Sequence, residues 1–149
     1  HLLFISGPLW EEEIQEIFPW RCERLLDRLE RSGLAAHNNN GQWELRNFAD
    51  VFAVRRLITF EAKISSLATA LQQAHLNTWF ASESYVLTAS TRPREYTVER
   101  AREIGVGLLV RSDEKSIVSL VAPETQELPR SYASWFFNEL AWKTSIGVV

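Results

Sequence analysis

Asp50-Val51-Phe52-Ala53-Val54-Arg55-Arg56-Leu57-Ile58-Thr59-Phe60-Glu61-Ala62-Lys63 is the stretch on which the reading of this chain turns. The run from Phe48 to Phe60 is rich in β-formers and broken by Arg55-Arg56. It predicts two strands, 49–54 and 57–63, joined by a tight hairpin turn. On that reading Asp50 opens one arm and Glu61 lies near the end of the other, so their carboxylates can converge. Glu61 and Lys63 are two residues apart and share a sheet face, with Ala62 turned the opposite way. Two carboxylates and an ammonium on one side of a sheet end are costly to bury without a purpose. A hard divalent cation supplies one. Magnesium takes one or two carboxylates and keeps several waters, leaving room for a phosphate oxygen and an attacking water.

Working outward, residues 10–32 read as an amphipathic helical region interrupted at Pro19. Leu25, Leu26 and Leu29 recur at helical spacing there, and Ser32-Gly33 is a stop signal. Leu34 to His37 and Gln42 to Leu45 read as strands around the Asn38-Asn39-Asn40-Gly41 turn. After Lys63 the pattern predicts a helix at about 65–79, a strand at Tyr85-Val86-Leu87 and a charged helix from Thr97 to Ile104. Strands at 106–110 and 116–121 follow, around a turn at Asp113-Glu114-Lys115, and then a C-terminal helix beyond Pro129. The expectation is one α/β domain over residues 1–149, a mixed central sheet flanked by helices, with residues 1–9 a poorly ordered lead-in.

The pattern Asp50, Glu61-Ala62-Lys63 resembles the PD-(D/E)XK nuclease superfamily, the restriction-endonuclease-like fold. In that fold an Asp precedes a Glu-x-Lys at the end of the next strand. Ala49 stands where the motif name has proline. The resemblance runs from about Glu23 to Val110. Ala70-Leu71-Gln72-Gln73-Ala74 looks like the helical segment whose glutamine, here Gln73, faces the site in several branches. Glu23 sits on a helix ahead of the strands, as in many members. The resemblance implies a restriction-endonuclease-like core of helix, three strands, helix and strand, followed here by helix, two strands and a C-terminal helix. It implies a magnesium- or manganese-dependent deoxyribonuclease. Asp50 and Glu61, with the Ala62 main chain, would hold the ion, while Lys63, Gln73 and Glu23 complete the catalytic set.

Each of these residues also has a plain structural reading: Glu61 and Lys63 as a solvated pair on an edge strand, Glu23 as an exposed helix charge, Gln73 as helix surface. Glu44 is an outside candidate for a supporting acid. His37 and His75 read as surface or capping residues without zinc spacing. Cys22, the only cysteine, reads as a buried inert thiol. A rival reading starts from Leu25 to Leu45, which is similar to the recognition helix and wing of a winged-helix domain. That implies a DNA- or protein-binding module without catalysis. A restriction-endonuclease-like domain that only binds is the third reading.

Composition bounds these readings. The chain has 149 residues, 46% hydrophobic and 23% charged, the balance of a folded globular protein. No apolar run approaches the roughly 20 residues of a membrane-spanning helix, so no membrane partner is expected and a cytoplasmic setting is the default. The net charge is −3, yet Glu11, Glu12, Glu13 and Glu16 gather in residues 1–16 without a Lys or Arg. Removing those four leaves 15 acids against 16 basic groups, of which 13 are arginine. Arginine forks suit phosphate, and Arg92, Arg94, Arg100, Arg102 and the Arg55-Arg56 pair are candidates to grip DNA. Trp43 and Trp79 are candidates for exposed stacking surfaces. A chain that begins with His1 and lacks methionine reads as part of a longer protein with further domains. Its oligomeric state is left open, a dimer included.

Overall fold

A computed structural model describes residues 1–64, 66–112 and 116–145. The expected turn at Asp113-Glu114-Lys115 lies outside the described residues. Contacts gather into two compact units: His1–Ala53 together with the chain from Thr144, and Val54–Lys143. Among the described residues, no helix is long and apolar enough to cross a membrane.

The first unit contains α1 (Leu2–Ser6), α2 (Glu11–Ile17), α3 (Cys22–Arg31), β1 (Ala35–His37), β2 (Trp43–Leu45) and the short α4 (Phe48–Val51). Pro19 separates α2 from α3, as the sequence predicts, and Gly33 closes α3 with a φ of 71°, which costs glycine little. β1 and β2 pair antiparallel, Ala36 opposite Glu44. Their Asn-rich turn is held by Asn38, whose side-chain oxygen accepts the Asn40 and Gln42 N–H groups at 2.9 and 3.0 Å. Leu9 and Trp43 exchange two backbone hydrogen bonds of 3.0 and 2.8 Å, so the stretch after α1 joins the hairpin at a single antiparallel bridge. Ile14, Cys22, Leu26, Ala35 and Trp43 form the core beneath it.

The predicted strand at 49–54 does not form, and neither does the hairpin. Asn47 caps α4 by accepting the Ala49 N–H at 3.3 Å. Phe48, Val51 and Phe52 recur at the i, i+3, i+4 spacing of a helix. The Phe48 ring stacks on Phe52 at 5.4 Å and meets Phe4 at 5.1 Å. Burying Val51 and Phe52 and half-burying Phe48 on one turn outweighs the β-propensity of the run, and Arg55-Arg56 caps no hairpin.

The second unit holds β3 (Ile58–Lys63), α5 (Leu67–Asn77), β4 (Glu83–Thr88), α6 (Glu95–Glu103), β5 (Gly107–Arg111), β6 (Ile117–Val121) and most of α7 (Tyr132–Ser145). The sheet order is β3-β4-β5-β6, with β3, β4 and β5 parallel and β6 antiparallel. Parallel neighbours need a long crossover, here α5 and α6. Both helices cover one face, where Ala70, Leu71, Ala74 and Ala101 pack on Val86, Leu108, Val110 and Val121. The α/β mixed sheet flanked by helices expected from sequence is therefore present, but the strands preceding α5 do not form one antiparallel meander. α7 docks on the segments that lead into β3 and β4: Ser134 donates to the Phe80 carbonyl oxygen at 2.9 Å, and Asn138 accepts the Val54 N–H at 3.3 Å.

The other sheet face carries a polar cluster that the sequence does not announce. Arg56 donates two hydrogen bonds to Glu83, of 2.8 and 2.7 Å, and the Tyr85 hydroxyl adds a third at 2.8 Å. Gly107 makes room for the Tyr85 ring, since a Cβ there would lie 2.4 Å from it. The Arg56 fork holds the Glu83 carboxyl below its ordinary value of 4.5, against the opposing effect of burial. A carboxyl lowered in the folded state binds fewer protons there than when unfolded. Its stabilisation is complete above the ordinary value and is lost as the pH falls through the range below it. Between about pH 5 and pH 3 the melting temperature of the wild type is therefore expected to fall more steeply than that of Glu83→Gln. Parallel pH profiles of the two would contradict this.

Candidate functional site

Glu61 and Lys63 lie at the carboxyl end of β3, on the face that α5 covers. Their register partners are Val86 and Thr88 of β4, and both side chains are half-buried. Glu61 is held in place, its Oε1 accepting a hydrogen bond of 3.0 Å from Asn77 Nδ2 at the end of α5. Lys63 has no carboxylate within ion-pair reach among the described residues. Beside it the buried Thr88 hydroxyl accepts the Ser90 N–H at 3.1 Å and closes β4. Three residues beyond Lys63, Ser66 adopts a left-handed φ of 59° at the start of α5, a backbone strain that concentrates at functional turns.

β3 is an edge strand among the described residues. The Leu57 carbonyl accepts from the Glu83 N–H, and the alternation of a parallel ladder then turns Thr59, Glu61 and Lys63 toward β4. The N–H and C=O of Ile58, Phe60 and Ala62 point to the unpaired side. Among the described residues, the Ala62 carbonyl is therefore an unpaired hard-oxygen donor next to Glu61.

The other expected site residues fall elsewhere. Asp50 does not open a strand; it is exposed on α4 in the first unit. Glu23 is exposed in the first turn of α3. With Glu11, Gln15, Trp20, Arg21 and Arg24 it lines an open depression of about 260 Å³. Gln73 is exposed on α5, and Asn77, one turn further on, is the residue that reaches Glu61. Asn77 could have been found from sequence: it sits four residues after Gln73, on the same flank of the apolar face made by Ala70, Leu71 and Ala74. Cys22 is buried, and desolvation, then Glu11 and Glu23, push its thiol up, which keeps it inert. His37 Nδ1 lies 3.1 Å from the Gly41 carbonyl oxygen, and its ring packs on Trp43 at 4.0 Å. It ends β1 beside the turn. Glu44 is half-buried on β2. Trp43 is core, whereas Trp79 is 75% exposed.

Among the described residues, no three His, Cys, Asp or Glu side chains gather into a metal cluster. Magnesium asks for less: one or two carboxylates and a shell of water. Glu61, anchored through one oxygen, and the adjacent Ala62 carbonyl fit that partial donor set. A lysine two residues away, without a counter-ion among the described residues, suits a charge that develops only when an anion binds. No family model, no curated protein and no solved structure matches this chain.

Proposed function

We propose that the second unit hydrolyses DNA phosphodiester bonds with the help of magnesium or manganese, in a cytoplasmic setting. Glu61 and the Ala62 carbonyl are the protein ligands of the ion in this reading. The observation that carries it is Lys63: half-buried, without a carboxylate partner among the described residues, and on the same face as an anchored glutamate. Carboxyl ends of parallel strands are where open α/β sheets bind ligands. Such an ion supplies Lewis-acid polarisation of a phosphoryl oxygen and an acidified water. Lys63 places its ammonium beside the scissile phosphate and offsets the charge that grows there. Asn77 keeps the Glu61 carboxylate oriented. The Glu61-Ala62-Lys63 half of the resemblance to PD-(D/E)XK nucleases supports the same assignment, whereas Asp50, its other half, lies on α4 in the first unit.

A ligand that binds only the folded state stabilises it by mass action, by about 2.7 kcal/mol at a hundred times its Kd, and so raises the melting temperature. Manganese is therefore expected to raise the melting temperature of the wild type and to leave that of Glu61→Gln unchanged. An equal rise in both would remove Glu61 from the site.

A second reading concerns the first unit, and the path of its chain favours it. Helix, a β-bridge at Leu9, two helices and a hairpin follow one another as in a winged-helix domain. α3 buries Cys22 and Leu26 and turns Arg24, Arg28 and Arg31 to the opposite side. Arg31 is tied to Asp27 at 2.9 Å, while Arg24 and Arg28 have no acidic partner among the described residues. The unit would hold DNA through this stripe. Arg24→Ala/Arg28→Ala is expected to flatten the salt dependence of duplex binding by about 1.8, the share of two phosphate contacts. An unchanged slope would argue against it.

A further inference from the structure

We propose that the furrow between α5 and α6 binds single-stranded nucleic acid, with Arg94 and Arg100 on its phosphates and Tyr96 against a base. The furrow encloses about 520 Å³ and is independent of the hydrolytic site proposed above, since none of Glu61, Ala62 and Lys63 lines it.

Its charge is one-sided. Arg94, Arg100 and His75 line it, and no Asp or Glu does. On α6 the acids Glu95, Glu99 and Glu103 recur at i, i+4 on the flank turned away from α5. Glu103 alone reaches back, to Arg100 at 3.0 Å. Both partners of that pair are more than half exposed, so it is weak and exchangeable for a phosphate. His75 Nδ1 faces the Ile104 carbonyl oxygen at 3.3 Å, which fixes the ring in the wall of the furrow.

The remaining lining suits a nucleotide. Leu71 and Ile104 give an apolar floor, Gln72 and Thr97 offer hydrogen bonds, and Tyr96 is 73% exposed at the rim. An exposed aromatic between two arginines is the combination that holds a single strand: stacking for the base, guanidinium for the backbone. An acidic peptide would satisfy the arginines but leave the tyrosine unused.

The test is fluorescence anisotropy of a labelled oligothymidylate with the whole chain, in EDTA so that no cleavage intervenes. Tyr96→Ala is expected to weaken binding roughly 5- to 100-fold, the loss of one base–aromatic stack, while Tyr96→Phe retains it. Arg94→Gln/Arg100→Gln is expected to flatten the salt slope by about 1.4, two single-strand phosphate contacts. Binding is read in EDTA and cleavage separately with magnesium, so loss of oligothymidylate binding and absence of cleavage are distinct outcomes for the two readings. All three altered side chains are exposed, and circular dichroism confirms the fold of each variant. Oligothymidylate binding untouched by the Tyr96 and arginine changes would overturn the proposal. So would displacement of the oligonucleotide by polyglutamate at equal charge concentration, which would assign the furrow to an acidic peptide.

Discussion

Lys63→Ala is expected to cleave DNA about 100- to 1000-fold more slowly than the wild type, the usual cost of removing one electrostatic contact to a transition state. Manganese and DNA binding should change little, because Lys63 ligates no ion and its interaction strengthens as negative charge gathers on the phosphate. Lys63→Arg should rescue only in part. A broad, permanently charged guanidinium cannot occupy the place of a compact ammonium, nor give up a proton. If Lys63 were instead a solvated surface charge, its loss would cost well under about 1 kcal/mol of stability and leave any activity intact. The half-burial of the side chain and the missing counter-ion among the described residues favour the first outcome.

The second large effect is on folding. Leu108 is fully buried in the centre of the second unit, and Leu76, on α5, is 61% exposed. Leu108→Ala removes buried methyl groups and leaves a cavity between α5, α6 and the sheet, at a cost of about 2–5 kcal/mol. For a domain of this size that lowers the melting temperature by about 10 °C or more. Leu76→Ala should stay within about 0.5 kcal/mol of the wild type. Thermal melts of the two leucine variants separate the cases, and equal losses would contradict the packing described for this core.

Much of this fold is written locally. Gly33, Pro19 and the Asn38–Gly41 turn mark where elements stop, and the alternation around Glu61 and Lys63 places both on one face of β3. The failure at residues 49–54 is equally physical. Phe48, Val51 and Phe52 satisfy a strand by propensity and a helix by spacing, and spacing decides because one turn buries Val51 and Phe52 and stacks Phe48 on Phe52. Asp50 went to the wrong element as a result. The Arg56–Glu83–Tyr85 cluster could not be seen because its partners are 27 residues apart in sequence. They meet only once β3 and β4 pair in parallel across α5. Asn77 carries no mark in the family pattern, which points to Gln73, one turn earlier. Charge sums hid the furrow in the same way: interleaved Glu and Arg on α6 look like a neutral solvated helix until the two signs separate onto opposite flanks.

Incubation of the purified chain with linear, plasmid and single-stranded DNA, in magnesium or manganese and in EDTA, with Lys63→Ala alongside, tests the central claim most directly. The account predicts phosphodiester cleavage that requires the metal and nearly vanishes in Lys63→Ala; cleavage in EDTA, equal cleavage by the variant, or intact DNA under every condition would contradict it.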